Sequence, residues 1–162
     1  LWIIRHAKSS WDDPGITDHD RPLNDRGKLD APRVASYLMD HFDIPDRCYT
    51  SSAKRAKRTC KVFRKTFDMK KSKVTVLPML YHPTIQSCIQ VIHSIDESID
   101  CAAIFGHNPT FTYLIHELTG TGPDNLPTCG CALVTSSAEY WSTFESDQCN
   151  LDALIFPKML PS

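Results

Sequence analysis

The sequence predicts an α/β fold: one three-layer domain, a mostly parallel central sheet with helices on both faces, and an antiparallel C-terminal edge. Three observations predict it. Short apolar runs that end in a polar turn recur at Trp2–Arg5, Arg47–Thr50, Val74–Leu77 and Cys101–Phe105. Each is followed by a segment whose apolar residues recur at helical spacing, the order that lays helices over a parallel sheet. After Gly120-Thr121-Gly122-Pro123 the alternation stops, and Cys131–Thr135, Tyr140–Phe144 and Asp152–Phe156 read as strands with no helix between them.

Trp2–Arg5 is short and apolar, as a buried strand requires. Asp12 to Asn24 is rich in Asp and Pro and reads as a loop, with Asn24 placed to cap a helix from Asp25. Ala31, Val34, Ala35, Leu38, Met39 and Phe42 then keep a helical period. Pro32 lies inside it, so the reading places a break near Leu29 and lets Asp30 cap a second segment with Pro32 in its first turn. Ser51 or Ser52 caps the next helix, which buries Ala56, Cys60, Phe63 and Phe67. Thr84 caps a helix with Ile85, Cys88, Ile89 and Ile92 inward. Asn108 and Pro109 open the last helix, with Phe111, Leu114, Ile115 and Leu118 inward and Gly120 at its end.

The 162 residues are 41% apolar and 23% charged, the balance of one soluble globular domain spanning 1–162. No apolar run approaches the ~18–20 residues of a membrane span. Seven cysteines are too odd a count for a closed disulfide set, and no Cys-x-x-Cys pair occurs. Reduced, mostly buried thiols in a cytoplasmic protein are the expectation, with no metal and no cofactor. Charge is uneven: Lys54 to Lys73 holds ten Lys or Arg and one acid, Asp68. Lys54, Arg58, Lys61 and Lys65 form one helical stripe, read as a solvated face or as a landing surface for an acidic or phosphorylated partner. The pI of about 6.7 and the lack of exposed aromatics in the stripe argue against nucleic-acid binding.

Three segments share the order strand, polar turn, helix start: Ile4-Arg5-His6-Ala7, Tyr49 to Ala56, and Ile104 to Thr110. In an open α/β sheet the carboxyl ends of parallel strands lie along one rim, where ligands bind. That rim would gather Arg5, His6, Arg55 and His107, with helix N-termini at Ser52 and Asn108 adding free N–H groups for an anion. Arginine matches phosphate oxygens in pairs and stays charged. Histidine can attack phosphorus near neutral pH, and adjacent cations should lower its pKa. Singly, Arg55 could be one more solvated charge and His107 a turn residue; together they make a phosphate site.

Here the chain resembles a known family. Arg5-His6-Ala7-Lys8-Ser9 is similar to the Arg-His-Gly/Ala signature of the histidine phosphatase (phosphoglycerate mutase-like) superfamily. Asp20 to Gly27, Ser51 to Thr59, Gly106-His107-Asn108-Pro109, Leu126 to Gly130 and Phe156-Pro157-Lys158 resemble its SixA-like branch, the phosphohistidine phosphatases. The resemblance implies a phosphoglycerate mutase-like fold and a metal-independent phosphatase. It makes His6 the phosphoacceptor and Arg5, Arg55 and His107 the phosphoryl-binding groups, with Arg21 and Asn108 as further phosphate or substrate ligands. Many ester-cleaving relatives carry a Glu after the third strand as general acid, whereas this chain reads Leu77-Pro78-Met79-Leu80-Tyr81-His82. A positioned acid is worth ~10²–10⁴ in rate, so its absence points to P–N bonds, with Asp18, Asp20 and His82 as possible substitutes. The expected substrate is phosphohistidine on a protein. A small phosphorylated metabolite is the alternative, a non-catalytic phosphoprotein-binding module the reading from another class. No nucleic acid or membrane is expected as partner, a monomer is the default, and the oligomeric state stays open.

Overall fold

The computed structural model describes residues 1–161. Its strands are β1 Trp2–Arg5, β2 Arg47–Thr50, β3 Val74–Val76, β4 Ala102–Gly106, β5 Cys131–Ser136 and β6 Cys149–Ile155. They form a six-stranded sheet in the order β3-β2-β4-β1-β5-β6. β1 pairs parallel with β4, and β2 pairs parallel with β4 and β3. β5 lies antiparallel to both β1 and β6, so it alone runs against the rest. The helices are α1 Asp25–His41, α2 Lys54–Thr66, α3 Ile85–His93 and α4 Thr110–Thr119.

The two-residue period of the strands divides the core. Trp2, Ile4, Ala103 and Phe105 face α1 and α2, packed with Val34, Leu38, Cys60 and Phe63. Ile3, Ala102 and Ile104 face α3 and α4, packed with Ile92, Leu114 and Ile115. Both faces are covered, which is why these strands read as continuous apolar runs rather than alternating ones. Phe63 meets Phe105 edge to face at 5.4 Å between centroids. Truncating such a fully buried ring to Ala costs about 3–5 kcal/mol.

Several elements differ from the sequence reading. α1 runs unbroken through Pro32. Pro32 is exposed, so the carbonyl one turn back can bond water, and the ring lies on the face away from the core. Asp30 is not a cap; its buried carboxylate accepts from Arg26 Nε at 2.8 Å and from Arg33. Met39, expected on the inner face, is exposed. Tyr140–Phe144 is not a strand but a 3-10 turn at Trp141–Thr143, because the indole of Trp141 turns in to donate to Ile99 O and its backbone N–H is claimed by Glu97. β6 begins at Cys149 instead of Asp152. α2 is preceded by Ala53 with no side-chain cap, since the Ser51 hydroxyl folds back to the Ala53 N–H instead. Thr84 does cap α3, in a reciprocal capping box with Ser87, and Gly120 ends α4 in the left-handed conformation.

Candidate active site

β1, β2 and β4 deliver their carboxyl ends to one rim, and α2 and α4 begin there. Register explains the convergence: Arg5 pairs with Gly106 and Thr50 with Phe105, so His6, His107 and Ser51 emerge at nearly one level. Backbone bonds continue the sheet past the strands, with His6 N–H to Gly106 O at 3.0 Å and Ser51 N–H to Phe105 O at 2.9 Å. Gly106 is required at this point, since a Cβ there would meet the Phe111 ring at 2.6 Å. Gly27 is required for a different contact: a Cβ would lie 2.2 Å from Lys8 O, where the start of α1 closes on the loop after His6.

The rim holds His6, Arg55 and His107 within contact range of one another, all three buried. His6 Nδ1 lies 2.7 Å from Ala7 O. A carbonyl can only accept, so Nδ1 carries the proton and the lone pair resides on Nε2. Arg55 Nε donates to that nitrogen at 3.3 Å, and the two imidazole centroids are 5.2 Å apart. Arg5 donates from Nη1 to Leu126 O at 2.7 Å, while its Nε is buried without a partner. His107 Nε2 is 2.7 Å from Ser51 Oγ, and its Nδ1 is likewise buried without a partner. Unpaired buried polar atoms are costly, and Arg5 Nε and His107 Nδ1 both belong to side chains of this rim.

Electrostatics follow from this packing. Burial, the largest cause, pushes the His6 imidazole down to about 4; the hydrogen bond to Ala7 O pulls upward, and the charges of Arg55, Arg5 and Arg21 add to the downward shift. Burial, His6 and Arg55 push His107 down to about 3. Both rings are therefore neutral at pH 7. Thr59, fully buried, ties the parts together: its hydroxyl donates to Arg55 O and accepts from the Ala7 N–H.

Asp18, raised above as a substitute proton donor, is instead a clamp. Arg55 donates to its backbone oxygen at 2.6 Å and to its carboxylate at 3.1 Å, Arg21 Nε adds a contact at 3.2 Å, and Tyr81 OH donates at 2.7 Å. Partial burial pulls the Asp18 carboxyl up, but the bonds from Tyr81 and Arg55 outweigh it and hold it well below the usual carboxylate range. It is ionised and cannot serve as an acid near neutral pH. Asp20 is exposed and also shifted down, by the Thr17 hydroxyl and His19. His82 sits exposed on the rim in a left-handed backbone conformation (φ 50°), its ring tilted 41° to that of Tyr81 with centroids 4.0 Å apart.

Arg21 reaches the site at one remove. It is buried, donates to Ser9 Oγ at 2.7 Å, to Ser10 O and to Asp18, and carries the exposed Trp11 ring 3.5 Å above its guanidinium. Asn108 is spent on the protein: its carboxamide oxygen accepts from Thr112, and its nitrogen donates to Asn125 and to Leu126 O. Leu126 O is also the acceptor of Arg5 Nη1, so Asn108 and Arg5 meet at one carbonyl. Sequence reasoning missed Ser51 as partner of His107, Tyr81 as partner of Asp18, and Thr59. Ser51 had a signal available, its place directly after β2 in the same pattern as His6 after β1. Among the described residues no group of three or more His, Cys, Asp or Glu side chains is arranged to hold a metal ion.

Fold and site together define a class: an α/β protein with a cleft lined by histidine and arginine at the carboxyl ends of its strands. Residues 1–80 match the family model of the histidine phosphatase superfamily (branch 1). An uncharacterized chloroplastic protein of Arabidopsis thaliana is 32% identical, over 87% of this chain and 68% of the relative. The chain belongs to the histidine phosphatase superfamily. Its fold is similar to that of the protein histidine phosphatase SixA complexed with tungstate, with a TM-score of 0.83 and 22% identity over 99% of this chain and 98% of that one. It is also similar to the alpha-ribazole phosphatase from Shigella flexneri, with a TM-score of 0.69 and 18% identity over 95% of each chain. No helix among the described residues is long and apolar enough to cross a membrane.

Proposed function

We propose that this protein removes phosphoryl groups through a covalent intermediate on His6, and that its substrate is phosphohistidine on a protein. The observation that carries the reading is His6 itself, neutral, with its Nε2 lone pair turned toward Arg55 and its other nitrogen tied to Ala7 O. Nε2 attacks phosphorus, the bond from phosphorus to the substrate nitrogen breaks, and the electron pair leaves with that nitrogen. Water then hydrolyses phospho-His6 to release phosphate. Arg5, Arg55 and the His107 ring stabilise the charge on the transferring group, which is where most of the rate enhancement for phosphoryl transfer arises.

The choice of a P–N bond rests on protonation. Both carboxylates near the cleft, Asp18 and Asp20, are held in the charged form, so neither supplies a proton to an alkoxide. An imidazole leaves more readily and needs less help. The choice of a protein substrate draws on α2. Exposed Lys57, Arg58, Lys61 and Lys65 continue down the helix from the mouth, and among the described residues none pairs with a carboxylate. Such a face attracts an acidic protein surface. Seven free cysteines fit a cytoplasmic setting. The similarity in fold to alpha-ribazole phosphatase keeps a small phosphorylated substrate as the second reading.

The test compares kcat/KM for a phosphohistidine peptide, p-nitrophenyl phosphate and an alkyl phosphate on one preparation. The expected order is as written, with the alkyl ester last by at least the ~10² that a general acid would supply. An alkyl ester cleaved as fast as the aryl ester would make His82 the proton donor and move the metabolite reading ahead. Activity should survive EDTA; loss restored by Mg²⁺ or Zn²⁺ would overturn the metal-free mechanism.

A further inference from the structure

Ser51 is fully buried at the end of β2, and its place is set by the sheet through its N–H to Phe105 O. Its hydroxyl oxygen accepts from the Ala53 N–H at 3.1 Å and lies 2.7 Å from His107 Nε2. The hydroxyl has one proton to place, and among the described residues the His107 nitrogen is its acceptor. Two arrangements satisfy the short contact. If Nε2 carried the ring proton and donated to Ser51, the serine proton would be buried with no acceptor, and the Nδ1 lone pair would be buried with no donor. If Ser51 donates to Nε2, only the Nδ1–H is left over. The second arrangement strands one group rather than two, and buried unpaired groups are what folded proteins avoid.

We propose that Ser51 is a positioning residue that fixes His107 as its Nδ1–H tautomer, so that His107 offers the phosphoryl group a hydrogen-bond donor and no lone pair. The kinetic consequence rests on the phosphatase reading; the tautomer does not. His107 has its burial and its cationic neighbours to keep it neutral, so a single ring proton is there to be directed. The two histidines of the cleft then share one tautomer but turn opposite ends to the substrate. His6 spends its Nδ1–H on Ala7 O and presents its Nε2 lone pair, which accepts from Arg55 Nε before the substrate binds, for attack. His107 spends its Nε2 lone pair on Ser51 and keeps the Nδ1–H for binding. Two imidazoles 5.2 Å apart are thereby made non-equivalent, one nucleophile and one donor, without any difference in charge.

Nitrogen-15 NMR of histidine-labelled protein tests the proposal, with the His107 signals identified by their loss in His107→Gln. The native His107 ring should show a protonated Nδ1 and a bare Nε2. Ser51→Ala should move it toward the Nε2–H form, which free histidine prefers. It should also lower kcat and kcat/KM for p-nitrophenyl phosphate together by about tenfold, the scale of one lost hydrogen bond. Ser51→Thr, which keeps the hydroxyl, should hold the native signature. A native Nε2–H, or an unchanged ring in a folded Ser51→Ala protein, would overturn the proposal. A purely structural role for Ser51 would reduce stability and leave the tautomer where it was. Should the purified protein lack phosphatase activity, the phosphatase reading falls, while the native NMR signature still decides the role of Ser51.

Discussion

At the carboxyl ends of β1, β2 and β4 a small cleft gathers Arg5, His6, Arg55 and His107. At the amino ends of the same sheet a broad groove of about 1210 Å³ is edged by Asp43, Asp46, Glu97, Asp100, Glu139 and Asp152. The carboxylates of the groove are solvated or spent on backbone: Asp46 accepts from Cys101 N–H, and Glu97 from Trp141 and Ser142. The cleft holds two depressed imidazoles and two buried nitrogens without partners, Arg5 Nε and His107 Nδ1. Depressed imidazoles and unsatisfied buried nitrogens, rather than solvated carboxylates, therefore mark the end we propose as the site. Strand direction underlies the contrast, because parallel β-α units put the N-termini of α2 and α4 at the cleft. Lys54 and Arg55 in the first turn of α2 run against the helix dipole, a local conflict that an incoming phosphate relieves.

If the two ends differ as described, substitutions at the cleft should dominate those at the groove. The largest effect is expected for His6→Ala, which should lower kcat by at least ~10⁴, as loss of a nucleophile does, and leave no acid-labile phosphoenzyme after exposure to a phosphodonor. Label on another residue would assign the covalent centre elsewhere. Arg55→Ala should lower kcat and kcat/KM together by ~10²–10³, the scale of one lost electrostatic donor, whereas a rise in KM alone would reduce Arg55 to ground-state binding.

The pH profile sharpens the contrast further. His6 and His107 titrate in the folded protein near 4 and 3, below the ordinary histidine value, so the unfolded chain holds their protons more tightly. Their contribution to stability is complete above pH 6.5 and is lost as pH falls through 4 and 3. The Tm should drop over that window, and less steeply in a His6→Asn, His107→Asn protein. The acidic limb of kcat/KM should turn over near 4; an inflection at the ordinary histidine value would mean a cleft far wetter than its burial indicates. The smallest effect is expected for Asp43→Asn or Glu139→Gln in the groove, with kcat within about twofold of the parent, as distant surface changes usually are. A tenfold loss there would couple the two ends and end the contrast.

The α/β class, five of the six strands within a residue or two, and the convergence of Arg5, His6, Arg55 and His107 on one rim were legible because they depend on local signals. Apolar runs, helical spacing and polar turns are properties of neighbours in the chain, and equivalent strand ends must share a rim once the sheet is parallel. The resemblance of the motifs added the roles. What local reading missed was decided by contacts between distant residues. Pro32 stays inside α1 because that face is exposed, and Trp141 leaves the strand pattern because Ile99 and Glu97 claim it. Asp18 changes from candidate acid to ionised clamp because Arg21, Arg55 and Tyr81 reach it from three separate segments. The sequence by itself determined which chemical groups arrive at the end of each strand. Only the tertiary structure decided their protonation and tautomers, because those depend on desolvation and on hydrogen bonds such as Ser51 to His107, between residues 56 positions apart.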